Sequence, residues 1–169
     1  MTAVIMSKAT SSSSSVRDLI RSSAKGASAG EKTPPEPLEV MRRLVSEVNG
    51  LSGLALEVND QGFCEMESTE AMPISVTLHD ENSSLLLTAL IVASEGAPSP
   101  ERMRKLLEIN AYGADTLGGW LGLIPDTGFA VYHFEWRRFQ TSDGETLSKL
   151  LNTFINHAHH LRDRVTQEA

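Results

Sequence analysis

Two strand-like runs, Trp120-Leu121-Gly122-Leu123-Ile124 and Phe129-Ala130-Val131-Tyr132-His133-Phe134-Glu135-Trp136, are joined across Pro125-Asp126-Thr127-Gly128. Pro presets one backbone dihedral and Gly tolerates the positive φ that closes a tight loop, so the segment spells an antiparallel hairpin. That commitment rules out a helical bundle and an all-parallel sheet. Helical patterns on both sides of the hairpin, with further strands ahead, leave an α+β layer.

The 169 residues, 40% of them apolar, suit one domain plus a tail. Charge is unevenly placed. Residues 1–35 hold five Lys/Arg and two Asp/Glu, which leaves a body of about −10 behind a tail of about +3. An acidic body repels phosphate backbones and attracts basic peptide segments, so nucleic acid is not an expected partner. Cys64 is the single cysteine, which excludes an internal disulfide or a thiolate zinc site and suits a reducing cytoplasm. The longest nearly apolar run, Leu85 to Ala93, is far short of the roughly 20 residues a bilayer crossing needs, so no membrane insertion is expected.

Residues 1–37 are rich in Ser, Ala, Gly, Lys and Pro and read as a disordered tail, with one short amphipathic helix around Val16, Leu19 and Ile20 and a stiff spacer at Pro34-Pro35-Glu36-Pro37. The folded domain is expected over 38–169. Val40, Met41, Leu44 and Val48 form one helical stripe that Leu38 and Val45 widen, with Gly50 as the stop. Leu54, Leu56 and Val58 alternate with other residues and turn through Asn59-Asp60-Gln61-Gly62 into Phe63 to Glu67, the pattern of a first hairpin. Ile74, Val76 and Leu78 alternate as a one-face strand, and Leu85 to Val92 reads as a strand apolar on both faces.

Ser99-Pro100-Glu101 opens a second helix that ends near Tyr112-Gly113. At about 100° per residue, Leu106, Leu107, Ile109, Ala111 and Tyr112 point to nearly every side. A helix apolar all round has to be covered all round, which implies a symmetric homodimer with this helix at the interface. Ser142 and Glu145 form a capping box for the last helix, whose Leu147, Leu150, Leu151, Phe154, Ala158, Leu161 and Val165 fall on one stripe.

No catalytic constellation emerges. His157, His160 and Asp163 stand three apart but rotate outward from the apolar stripe, as a solvated face does, so no metal is expected. Cys64 lies in a strand and reads as packing rather than as a nucleophile. Gly118-Gly119-Trp120-Leu121-Gly122 has the wrong spacing and context for a dinucleotide or phosphate loop.

The helix from Pro100-Glu101-Arg102 to Leu106-Leu107-Glu108-Ile109-Asn110, the hairpin Leu121-Gly122-Leu123 with Asp126-Thr127-Gly128, the element order and the acidity together resemble the class I chaperones of bacterial type III secretion, the Tir-chaperone-like proteins. The resemblance implies α-β-β-β-α-β-β-α subunits and a homodimer with Leu106, Ile109, Tyr112, Trp120 and Leu121 at its interface. It further implies that an effector's N-terminal segment wraps around the dimer unfolded, pairs with sheet edges and fills grooves at Leu38, Met41, Val45, Leu56 and Phe63. The expected protein is a cytoplasmic, bacterial, non-enzymatic export chaperone without cofactors, with the secretion ATPase or export apparatus as a further partner. The rival expectation is an exported effector or generic binding module whose tail is a secretion signal.

Overall fold

The computed structural model describes residues 5–6, 36–79, 84–92, 99–111, 113–124 and 127–166. The elements run β1 (Ile5–Met6), α1 (Pro37–Ser52), β2 (Phe63–Ser68), β3 (Pro73–His79), β4 (Ser84–Val92), α2 (Pro100–Ala111), β5 (Trp120–Ile124), β6 (Phe129–Trp136) and α3 (Gly144–Thr166). From α1 onward this is the expected α-β-β-β-α-β-β-α order. The fold is α+β, with every strand pair antiparallel in one sheet of order β1-β2-β3-β4-β6-β5. Apart from Ile5 and Met6, the N-terminal tail and its expected helix lie outside the described residues, as do Tyr112, Pro125 and Asp126.

α1 begins with Pro at its first position, where a missing N–H costs nothing, and runs past Gly50 to Ser52. The stop is Gly53: its φ of +70° lets its N–H turn back to the Asn49 carbonyl at 2.9 Å. Gly50 keeps helical backbone and so does not end the helix. The expected strand at Leu54 to Val58 does not form. Leu56 instead gives its N–H to the Asn49 side-chain oxygen at 2.9 Å and takes the Asn49 amide on its carbonyl at 2.8 Å, so one side chain replaces a strand partner. The turn at Asn59 does form, with Asn59 Oδ1 accepting the N–H groups of Gln61 and Phe63.

α3 is capped by Asp143 rather than Ser142. Asp143 Oδ1 accepts the Thr146 N–H at 2.8 Å, whereas the Ser142 hydroxyl donates to the Arg138 carbonyl. Starting one residue later leaves Gly144 as the first helical residue, where an added Cβ would lie 2.3 Å from the Glu47 Cβ. α1 can approach only because that side chain is absent.

The core sits between one face of the sheet and the pair α1 and α3. Met41, Leu44 and Val48 of α1 and Leu147, Leu151, Ile155 and Leu161 of α3 meet Cys64, Val76, Leu85, Leu87, Ala89, Ala130 and Tyr132 from the strands. Each of these side chains is at most 1% exposed. Burying a Leu or Ile to that degree contributes about 1.5–3 kcal/mol before the entropy of ordering. The Tyr132 ring stacks on Phe154 at 5.0 Å and its hydroxyl donates to the Thr116 carbonyl at 2.7 Å, tying β6, α3 and the turn before β5 together.

Candidate functional site

Cys64, His157, Glu135 and Arg137 are held by the fold. Cys64 is fully buried, and desolvation pushes its thiol up to about 12, away from nucleophilic use at neutral pH. His157 Nε2 donates to the Asp115 carbonyl at 2.9 Å while the ring packs edge-on against Tyr132, so its ring fastens α3 to the turn ahead of β5. Among the described residues, no three His, Cys, Asp or Glu gather as metal ligands. Arg137 and Glu135 pair with each other at 2.9 Å.

What the fold leaves over is apolar surface. α2 carries Leu106 and Ile109 inward, at 4% and 1% exposure. One residue further round, Leu107 is 69% exposed, and Met103 precedes it by one turn at 39%. The turn and strand that follow add Leu117 at 54% and Trp120 at 42%. Helix, turn and strand start thus present large apolar side chains to solvent where a packed protomer normally shows polar ones.

Among the described residues, the second face of the sheet carries no layer comparable to α1 and α3. Register places Ser75, Thr88, His133 and Trp120 in one row across β3, β4, β6 and β5. Thr88 Oγ1 and His133 Nδ1 lie 3.0 Å apart, and the His133 ring is 5.4 Å from the Trp120 ring. Burial, with His79 adding to it, lowers the His133 pKa to about 4, so the imidazole is neutral at physiological pH. Beside this row, Leu90 and Val131 are buried against Ile124 and Phe129 in a second, smaller apolar cluster.

The two edges of the sheet are closed differently. On β5, the Asn110 side chain accepts the Leu121 N–H at 2.8 Å and donates to the Leu121 carbonyl at 2.9 Å, so α2 covers that edge. On β2, Asn59 takes the N–H of Phe63 on its side-chain oxygen and gives its own N–H to the Phe63 carbonyl, both at 3.0 Å, and β1 pairs at the other end, with Ile5 opposite Ser68 and Met6 opposite Glu67.

The residues expected at a dimer interface divide: Leu106, Ile109 and Leu121 are inside the protomer, Trp120 is exposed, and Tyr112 is outside the described residues. Met103, Leu107 and Leu117 extend the outward patch. Helical periodicity places Leu107 among the all-round apolar residues but gives no means of choosing it over Leu106, and Leu117 sits in a turn with φ of +50°, where periodicity has no meaning. The residues expected to line client grooves also divide. Met41, Val45 and Leu56 lie in the core and Leu38 is half-buried at the start of α1. Phe63 pairs with Thr77 and therefore belongs to the second face, opposite Cys64.

Comparison with known proteins gives a consistent result. Residues 43–162 match the Tir chaperone protein (CesT) family. Among solved structures, the chain is similar to the ExsC–ExsE complex at 20% identity and a TM-score of 0.65, over 78% of this chain and 98% of that one. It is similar to the HopA1–SchA chaperone–effector complex at 16% identity and a TM-score of 0.58, over 78% and 99%. It is also similar to the Yersinia pestis type III secretion chaperone SycH in complex with a fragment of YscM2, at 16% identity and a TM-score of 0.53, over 72% and 98%. No curated protein sequence matches. At these identities the solved structures speak for the fold.

Proposed function

Since the chain belongs to the Tir chaperone protein (CesT) family, we propose that it is a type III secretion chaperone that binds the N-terminal segment of effector proteins in extended form and keeps them competent for export. The similar solved structures include a chaperone–effector complex and a secretion chaperone holding a fragment of another protein, which supports the same reading for this chain. The observation that carries it is the match of residues 43–162 to that family, on a fold shared with those complexes, while the exposed Met103, Leu107, Leu117 and Trp120 offer two copies a surface to meet through.

In this reading two copies meet through α2 and β5, with Leu107 and Trp120 at the centre and Leu106, Ile109 and Leu121 supporting them from below. The client lies along α1, meeting Leu38 at the rim over a floor of Met41, Val45 and Leu56, and reaches Phe63 where it passes around to the second face. Affinity comes from apolar burial at about 25 cal/mol per Å², less the cost of ordering the client, and main-chain pairing at sheet edges tolerates varied client sequences. The work is non-enzymatic, needs neither nucleotide nor metal, and belongs in the bacterial cytoplasm. Delivery to the secretion ATPase or export apparatus follows as the next step.

The test is co-purification from the source bacterium, with mass spectrometry of captured proteins and size-exclusion light scattering on the same sample. A secreted protein held through a protease-protected N-terminal segment by a dimer is the expected result. A monomer at high concentration that captures no secreted protein overturns the proposal, and export of a reporter fused after residue 35 would identify an exported protein instead.

A further inference from the structure

The turn between α2 and β5 holds more left-handed backbone than its glycines account for. Within residues 113–118, φ is positive at Gly113 (+56°), Leu117 (+50°) and Gly118 (+85°). Glycine adopts that region freely, whereas the Cβ of a leucine crowds the backbone there. The side chain does not offset this inside the protomer, since Leu117 is 54% exposed. Ala71, the other non-glycine residue with positive φ among the described residues, has only a methyl group to present. What keeps Leu117 in place is a set of bonds to its neighbours. The Asp115 carbonyl accepts from His157 Nε2 at 2.9 Å and the Asp115 carboxylate pairs with Arg164 at 3.1 Å, both on α3. The Thr116 carbonyl accepts the Tyr132 hydroxyl of β6 at 2.7 Å and the Gly119 N–H at 2.8 Å, and Thr116 itself is 1% exposed. Helix and strand thus fix the backbone beside Leu117, and such strain persists only where the surroundings over-determine it.

We infer that residues 113–118 form a braced pedestal that plants the Leu117 side chain in a second copy of this chain, with Tyr132 and His157 holding it there. The inference rests on the dimer reading proposed above and adds to it the anchor and the reason for its backbone. Charge selects a second copy as the occupant. α2, which leads into the turn, holds Arg102, Arg104 and Lys105 against Glu101 and Glu108, and Asp115, the one acid of the turn, is already paired. On an acidic body this is a face without surplus negative charge, so two copies meet here with least repulsion while a basic client segment is drawn elsewhere. A side chain held in its docked position before contact loses little freedom on binding, which favours association beyond what its area supplies.

The test measures the monomer–dimer dissociation constant of the full-length protein by sedimentation velocity, and urea unfolding by tryptophan fluorescence at concentrations low enough that each protein is monomeric. Leu117→Gly is expected to weaken association at least tenfold. It is expected not to lower the urea midpoint of the monomer, since relief of the left-handed strain offsets the greater freedom of unfolded glycine. Tyr132→Phe removes one bond of the brace and keeps Leu117. It is expected to weaken association at least threefold, and this effect should vanish when Leu117 is already glycine, a coupling that a merely structural Tyr132 would not show. A dissociation constant unchanged within twofold in Leu117→Gly, or a monomer midpoint that falls, overturns the inference. Should Leu117→Gly loosen the turn itself, Leu117→Asn, which also tolerates the left-handed region, is measured in its place with the same expected loss and the same overturning result. The wild type separates the two readings: a monomer at high concentration overturns the dimer and the anchor with it, whereas a dimer indifferent to Leu117 overturns the anchor alone.

Discussion

The Glu47 carboxylate on α1 accepts the backbone N–H of Gly144, the first residue of α3, at 2.5 Å across 97 positions of sequence. Its other oxygen takes the Arg43 guanidinium at 2.8 Å, and Arg43 also donates to the Ser142 carbonyl at 3.0 Å. One carboxylate thus satisfies a free amide at a helix start, favours the positive end of the helix dipole and locks the two helices that cover the core. Gly144→Ala is expected to cost about 1–3 kcal/mol, because its Cβ would overlap Glu47. Glu47→Ala loses the cap and is expected to cost about 1 kcal/mol. Urea melts monitored by circular dichroism measure both; a neutral Gly144→Ala would mean that the helices part without penalty.

Leu107→Asp places a charge on the most exposed apolar side chain of α2. Since Leu107 is outside the protomer core, stability should change by no more than about 0.5 kcal/mol. The association of two copies should be lost, read as a halved mass by light scattering with the circular dichroism spectrum of a folded protomer retained. A variant of full dimer mass would move the proposed interface elsewhere.

Asn110 performs a strand's work for Leu121, donating and accepting at once. Asn110→Asp keeps the shape but turns the donor into an acceptor facing the Leu121 carbonyl, and is expected to destabilise by about 1–3 kcal/mol. Asn110→Leu removes both bonds, opens the β5 edge and should also raise the tendency to aggregate, measured by turbidity on heating.

His133 has a folded pKa of about 4 because of its burial, below the ordinary value of 6.5. The unfolded chain therefore binds the proton more readily than the folded one between those limits. The resulting stability is fully present above about pH 6.5 and is lost as pH falls toward 4, amounting to about 2–3 kcal/mol at most. His133→Asn is expected to flatten this part of the stability profile, although carboxylate titrations below about pH 5 remain. An unchanged slope between pH 6.5 and 5 would place the effect on other groups.

Cys64 is buried and its thiol is pushed up to about 12. Reaction with a disulfide reagent at pH 8 should proceed only through unfolding, so its rate should rise in proportion as urea populates the open state. Fast labelling of the native protein would show that β2 opens by itself.

The sequence by itself determined the order of elements from α1 onward, the antiparallel sheet and the Trp120 to Trp136 hairpin. These depend on local rules: side-chain alternation, helical periodicity, and the dihedral preferences of Pro and Gly. The tertiary structure alone decided which apolar residues face outward, since Leu106 and Leu107 are equally greasy and only the position of the sheet separates them. It also decided that Leu54 to Val58 is not a strand, because the Asn49 amide satisfies Leu56 first, and that Ile5–Met6 pairs with β2 instead. Competition among backbone groups for one another is settled by distances between segments far apart in the chain, and no local pattern carries those distances.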